Sequence, residues 1–359
     1  LHLAAALGTL SAQPPERTMT QPPFPSQDPT CPWPTEAWPR GALPESLDQD
    51  TYERAYDALT QPGPEDGECY AVLVVHRGRL VAEHYGDGAT ADSTLASWSM
   101  AKSQLHGVAG LMAREGLIDL DAPAGLAAWA GEPRAEITLR QLFAMRSGLE
   151  FREDYEDGTV SDVIEMLWGA GKNDVAAYAA AKPLLHAPGS TFSYSSGTTN
   201  LIARILADRL GGEEALLTRL QENLFAPLGI TGAVPKVDGT GLWKASSFCF
   251  CTAEDFARFG LLYLRGGCWE DRPLLEESWV NGARTPTTLT AEEGYGLHWW
   301  IDPADPRRFY ASGYEGQRVL CDPARDVLAL RLGKTPNGEV PRIMAPLHAL
   351  VAAFPELGG

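Results

Sequence analysis

Positive charge is scarce in this chain: 29 Lys and Arg stand against 47 Asp and Glu, a formal net charge of −18. A surface so short of cations repels phosphate backbones and anionic bilayers, so neither nucleic acid nor a membrane is expected as a partner. Long apolar runs are missing too. No stretch approaches the roughly 18 residues that a membrane helix needs, although 44% of the residues are hydrophobic. The six cysteines, Cys31, Cys69, Cys249, Cys251, Cys268 and Cys321, are scattered, and Cys249-x-Cys251 is too tight for C-x-x-C. They fit no zinc or redox spacing and read as buried free thiols, so no metal and no other cofactor is expected. H-E-x-x-H, the Walker A pattern and G-x-S-x-G are absent, which removes the main support for a zinc protease, a P-loop enzyme or an α/β-hydrolase. No internal repeat is found.

What is present exceeds one typical core: 359 residues suit one large composite unit or two closely packed domains. The chain opens without Met, and residues 1–12 are apolar, faintly like a signal core with no basic stretch ahead of it. Met19 reads as the native start, and a cytoplasmic location is expected, with export as the alternative. Residues 1–47, rich in proline from position 13, are expected as an extended arm without a core of its own. Residues 70–85 alternate around Arg77-Gly78-Arg79, which predicts a hairpin. A helix is expected from Ser99 to about Arg114, and Thr138-Leu139-Arg140-Gln141 reads as a capping box. Helices follow over 161–182, 200–210 and after the cap Thr252, then strands between Phe309 and Leu332 and a closing helix over 341–354. Strands thus lie near both ends. The expected class is α/β, of the α+β kind: one antiparallel sheet built from 48–120 and 290–359 and flanked by helices. A mainly helical domain is inserted over 121–289, and the active site lies between the two.

The stretch with chemistry in it is Ser99-Met100-Ala101-Lys102, an S-x-x-K at the head of a helix-spaced apolar run, Val108, Leu111 and Met112. Positions i and i+3 share a helix face, so the Ser99 hydroxyl and the Lys102 amine can meet. A serine hydroxyl attacks well only when a base takes its proton, and a lysine is such a base only when burial or nearby positive charge lowers its pKa. Alone, the pattern is common and suits an ordinary surface pair just as well.

Two further motifs lie in order behind it: Tyr194-Ser195-Ser196, and Ala311-Ser312-Gly313-Tyr314 on a late strand. With Met145-Arg146-Ser147-Gly148-Leu149 and Gly294-Tyr295-Gly296-Leu297-His298-Trp299-Trp300 in support, residues 65–335 resemble the serine β-lactamase and penicillin-recognising superfamily. Within it they look most like the branch of family VIII carboxylesterases and 6-aminohexanoate-dimer hydrolases. The resemblance implies a β-lactamase/transpeptidase-like fold and a covalent acyl-enzyme. Ser99 would be the nucleophile, Lys102 its base and Tyr194 the proton relay, with the backbone N–H groups of Ser99 and Tyr314 as oxyanion hole. Tyr155, Ser196, Ser312, Gly313 and Trp300 would line the substrate. Two departures stand out. Ser196 replaces the Asn of Tyr-x-Asn, and Ala311 replaces the Lys of Lys-Thr-Gly, the cation that helps hold a β-lactam carboxylate. The position that should carry an Asp for a substrate ammonium falls near Glu165-Met166. The reading is a hydrolase of small esters or linear amides. A β-lactamase or D-Ala-D-Ala peptidase is the alternative, and a non-catalytic acyl-binding protein is the alternative of another class. A homodimer stays open. Taken singly, several residues have plainer readings: Tyr194 as a core tyrosine, Gly313 as a strand bulge, Tyr155 as loop packing, Trp299 and Trp300 as core and pocket wall, His298 as structural. The acidic run Glu150, Glu153, Asp154, Glu156 and Asp157 is expected as a solvated loop.

Overall fold

The computed structural model describes residues 21–155, 160–292, 294–336 and 340–358. Met19, residues 1–12, Glu156 and Asp157 lie outside the described residues. Residues 21–47 hold a single bridge, Arg40 to Leu80, and have no core of their own. They lend side chains to the body instead. Trp33 packs 5.0 Å from Trp269, the Arg284 guanidinium lies 3.6 Å from the Phe24 ring, and Arg258 Nε donates to the Pro34 carbonyl at 2.8 Å.

The first helix, α1 (Gln49–Thr60), is capped by Asp48, whose carboxylate accepts from the Thr51 N–H. The hairpin follows as β1 (Glu68–His76) and β2 (Arg79–Tyr85), turned by Arg77 and Gly78, both at positive φ. Positive φ at both central residues gives the turn a twist that matches its strands. After β3 (Leu95–Ala96) comes α2 (Met100–Arg114), released at Gly116, whose φ is +72°. Helix α3 (Leu139–Phe143) begins on the expected capping box, with Thr138 and Gln141 each accepting from the other's N–H.

The single helix expected over 161–182 is two: α4 (Asp162–Leu167) and α5 (Val175–Ala180). The N–H groups of Gly169 and Gly171 both return to the Glu165 carbonyl, which closes α4. A Cβ on Gly171 would lie 2.8 Å from Met166 Cα, so the turn there is too tight for a side chain. Asp174 then caps a fresh start by accepting from the Ala177 N–H. Helix α6 (Ser196–Leu210) starts four residues earlier than its apolar face suggested, because Ser195 caps it through the Thr198 N–H. Next come α7 (Glu213–Thr218), β4 (Val234–Pro235), β5 (Cys249–Cys251), α8 (Ala253–Leu264), the ribbon β6 (Cys268–Trp269) and β7 (Arg272–Pro273), and α9 (Glu277–Arg284). The chain closes with β8 (Thr288–Leu289), β9 (Gly294–Tyr295), β10 (Trp300–Ile301), β11 (Phe309–Gly313), β12 (Gln317–Asp322), β13 (Val327–Lys334) and α10 (Val340–Ala352).

Eight strands form one antiparallel sheet in the order β2-β1-β13-β12-β11-β10-β9-β8. The pairing of β1 with β13 joins the two ends of the chain, as expected for this fold. Successive strand residues face opposite sides. Accordingly Ala71, Leu73 and Val75 enter the core shared with α2 and α8, while Val72 and Val74 enter a second core under α1 and α10. Both faces are covered, which is why β1 is apolar throughout rather than alternating. Helix α8 crosses the sheet at Gly260, where a Cβ would lie 2.4 Å from Val319 Cγ1. All six cysteines are free, and all but Cys268 are buried. Among the described residues no helix is long and apolar enough to cross a membrane.

Candidate active site

Helix α2 is buried from Met100 to Met112, and this burial determines the chemistry available at its first turn. Ser99 sits at the N-cap, half-buried, directly after Trp98, a non-glycine residue at φ 43°. That strained turn is held on both sides. The Trp98 carbonyl accepts from Ser97 Oγ and from the Ala101 N–H, and its ring packs between Phe248 and Tyr314, each 5.6 Å away.

Lys102 is 2% exposed. Its Nζ lies 3.0 Å from Ser99 Oγ, 3.0 Å from Ser196 Oγ and 2.7 Å from the Ser246 carbonyl. Burial pushes the amine down to about 8, and the Glu153 carboxylate opposes that fall. Three neighbours fix the direction of the neutral amine. The Ser246 carbonyl can only accept. Ser196 Oγ gives its own proton to Glu153 Oε1 at 2.6 Å, so towards Lys102 it accepts as well. With both N–H bonds of the amine so committed, its lone pair faces the remaining neighbour, the Ser99 hydroxyl.

Tyr194 borders both Ser99 and Lys102. Its ring is 4.8 Å from Lys102 Nζ and 5.2 Å from the ring of Trp300. Burial, then Glu153, holds its hydroxyl well above the ordinary phenol range; its hydrogen bond with Ser99 and the charge of Arg318 oppose them. Tyr194 therefore keeps its proton at neutral pH, as a donor to a leaving group must. Strand β11 ends against this group. A Cβ on Gly313 would lie 2.4 Å from the Ser97 carbonyl, so glycine there lets the strand close on the turn that carries Ser99. The close approach is thus to the protein's own backbone, and it brings Tyr314 beside the turn that carries Ser99. Tyr155 stacks on Tyr314 with ring centroids 4.8 Å apart. The structure therefore gathers Ser99, Lys102, Tyr194, Ser196, Gly313, Tyr314, Tyr155 and Trp300 into one cluster. Ser312, half-exposed, faces Arg318 across the ladder.

A family model described as Beta-lactamase matches residues 57–353. The chain belongs to the β-lactamase family. It is 29% identical over 290 residues to the 6-aminohexanoate-dimer hydrolase of Paenarthrobacter ureafaciens, covering 74% of this chain and 73% of that protein. A Bacillus anthracis protein provisionally named as a 6-aminohexanoate-dimer hydrolase superposes with a TM-score of 0.72 at 22% identity, over 88% of this chain and 87% of that one. A family VIII carboxylesterase superposes with a TM-score of 0.65 at 13% identity, over 87% and 99%. At such identities the solved structures speak for the fold, which is that of β-lactamase-type hydrolases.

Glu153 corrects the expectation of a solvated acidic loop. One carboxylate accepts three bonds: Oε1 from Ser196 Oγ at 2.6 Å and from the Tyr155 hydroxyl at 2.6 Å, and Oε2 from the Ser196 N–H at 2.7 Å. The last of these lies at the start of α6, where an anion also meets the positive end of the helix dipole. A loop carboxylate thus reaches Lys102 through one hydroxyl. Its only sequence signal was the substitution of Asn by Ser196, which leaves room and a donor for an acceptor from elsewhere. Ser246 gave no signal at all. It is placed by Asn200 of α6, whose Oδ1 accepts from the Ser246 N–H at 3.2 Å. His298 is structural, as expected: Nδ1 bonds the Phe143 carbonyl at 2.9 Å, Nε2 lies 3.1 Å from Thr199 Oγ1, and burial lowers its pKa to about 3.

Proposed function

We propose that the protein is a serine hydrolase that cleaves esters or linear amides of small acyl compounds through an acyl-enzyme on Ser99. The observation behind this reading is the buried Lys102 amine, 3.0 Å from Ser99 Oγ and, among the described residues, without a direct carboxylate contact that would lock it as an ammonium. Neutral Lys102 takes the Ser99 proton as Oγ bonds to the substrate carbonyl carbon. The carbonyl oxygen becomes an oxyanion that accepts from the N–H groups of Ser99 and Tyr314. As the tetrahedral adduct collapses, Tyr194 gives its proton to the departing alcohol or amine, and the Lys102 ammonium restores it. Water then enters, gives up a proton by the same route and releases the acid.

Ala311 is buried in the core that β11 shares with α2, and it leaves the strand end without the ammonium that a β-lactam carboxylate would need. Glu165, near the position where a substrate ammonium would be held, is exposed and accepts from the Ala170 N–H of its own loop at 3.2 Å. A substrate carboxylate thus finds no ammonium at the strand end, which disfavours anionic compounds, whereas the exposed Glu165 carboxylate does not oppose a cationic end. Purified protein should label with a fluorophosphonate and turn over short p-nitrophenyl esters. Its kcat/KM for them should exceed that for nitrocefin by a factor on the order of 100, about the worth of one hydrogen bond to a charged group. Ser99→Ala should abolish both labelling and turnover. Equal turnover of nitrocefin would favour the β-lactamase reading, and absence of labelling would favour the acyl-binding one.

A further inference from the structure

The turn that follows β11 is gripped through its carbonyls. Arg318 Nη1 donates to the Gly313 carbonyl at 2.9 Å and to the Gln317 carbonyl at 2.8 Å. Gln317 Nε2 donates to the Tyr314 carbonyl at 2.9 Å. Arg331 Nη1 donates to the carbonyls of Glu315 and Gly316 at 3.0 and 3.2 Å. Every carbonyl from Gly313 to Gln317 thus accepts from a buried side chain. The turn needs such restraint, because Glu315 and Gly316 both stand at positive φ.

One of these bonds acts on the reaction centre through a single peptide plane. The Gly313 carbonyl and the Tyr314 N–H belong to the same planar trans peptide, so they point in opposite directions. Arg318 sits on β12 and holds the carbonyl from that side. The N–H is thereby aimed away from β12, towards the other edge of β11. There the β10 pairing stops at Tyr310, three residues short of Gly313, so the sheet leaves this edge open. Trp300 and Tyr194 stand on that side. A guanidinium on the carbonyl oxygen also draws electron density through the peptide and strengthens its N–H as a donor, and cooperative strengthening of this kind is expected in a low dielectric.

We propose that Arg318 is the positioning residue of the oxyanion hole: it aims and polarises the Tyr314 N–H at the site where the substrate oxygen becomes charged. This rests on the serine-hydrolase reading above. Arg318 is 8% exposed and has no carboxylate partner among the described residues, so its charge is not cancelled locally. Its field also reaches Tyr194, whose ionisation it eases.

The test uses Arg318→Gln, which removes the charge, and Arg318→Lys, which keeps it but loses the planar fork. Three quantities are read: kcat and KM for p-nitrophenyl acetate, and Ki for an alkylboronic acid that forms a tetrahedral adduct on Ser99 Oγ. Losing an oxyanion donor outright costs about 100- to 1,000-fold, so a loosened one should cost roughly 10- to 100-fold in kcat for Arg318→Gln. KM should stay within about threefold and the boronate Ki should rise with the loss in kcat, because only the tetrahedral state uses the bond. Arg318→Lys should recover part of the rate and remain about two- to tenfold down. Should Arg318→Gln fail to fold, Arg318→Lys decides alone. An unchanged kcat in the folded variants overturns the clamp. So does a KM rise confined to substrates that bear a carboxylate, since Arg318 would then be a substrate contact. A parent protein with neither ester turnover nor boronate binding sensitive to Ser99→Ala overturns the hydrolase reading, and the clamp with it.

Discussion

The β12–β13 pair holds buried arginines at both its ends, in opposite ways. At the end far from the site each guanidinium meets a carboxylate: Arg265 Nη1 lies 2.5 Å from Asp326 Oδ1, and Arg308 Nε lies 2.9 Å from Asp322 Oδ2. About 13 Å away, at roughly 3.3 Å per residue along β12, Arg318 and Arg331 face each other across the ladder. Their hydrogen-bond partners there are main-chain carbonyls, the Thr335 hydroxyl and the Met344 sulfur. Burial lowers the pKa of both, that of Arg331 to about 10. Two like charges with no carboxylate hydrogen-bonded to either among the described residues, and only Glu315 acting on Arg331 from a distance, are a cost to folding in a low dielectric. The far end spends its charges on neutral pairs that fasten α8 and the β12–β13 turn. The near end leaves Arg318 without a carboxylate partner among the described residues, beneath a turn where the proposed reaction would make a negative charge. The same residue type thus serves cohesion at one end and chemistry at the other, a division expected where stability is traded for a prepared site.

Substitutions should separate along this line. The largest effect on rate belongs to Lys102, the buried amine on α2. Lys102→Met keeps the volume and removes the base, so kcat should fall by about 10⁴-fold or more. No buried amine would then remain to be desolvated, so the melting temperature should hold or rise. A variant that melts far below the parent, or that keeps near-normal turnover, would contradict this assignment. The far end should respond the other way. Asp326→Asn strands Arg265, whose side chain is 1% exposed, and the loss of one partner of a buried pair costs about 3–5 kcal/mol. Urea unfolding should show that loss, while kcat per folded molecule stays close to that of the parent. A large fall in kcat with stability intact would remove the distinction between the two ends.

Local structure was legible in the sequence, and the long-range contacts that complete the site were not. Strand positions, the hairpin at Arg77-Gly78 and the capping box at Thr138 depend on local patterns, and each appears where the pattern put it. Ser99 and Lys102 sit three apart on one helix, so their meeting follows from helix geometry. Glu153, Ser246 and Arg318 are different. Each reaches the site from a segment distant in sequence: Glu153 lies 43 residues from Ser196, and Ser246 lies 144 from Lys102. A lone Glu in an acidic loop looks solvated because nothing local shows the helix start that it will cap. The helix over 161–182 failed for a related reason. Its apolar spacing continues past Leu167, but the tight turn at Gly169 and Gly171 is fixed by contact with the preceding helix rather than by composition.

Glu153 offers the smallest and most diagnostic shift. Below about pH 8 the Lys102 amine is protonated and cannot accept the Ser99 proton, so kcat/KM should rise with pH along a limb centred near 8. The Glu153 carboxylate stabilises the ammonium and thus raises that pKa. Glu153→Gln removes the negative charge and nearly keeps the shape, so the ammonium loses support and the limb should move to lower pH, by about half a unit to one unit. At pH 7 a larger share of the enzyme would hold a neutral Lys102. The plateau should nevertheless drop a few-fold, because the two carboxylate oxygens accept three bonds and the amide nitrogen can accept none of them. Ser196 would then be freer to turn its own proton towards Lys102, which competes for the lone pair that Ser99 needs. The expected signature is therefore a lower plateau reached at lower pH. A purely structural role would lower the plateau and leave the limb in place, and a limb displaced to higher pH would mean that Glu153 does not act on Lys102 through its charge.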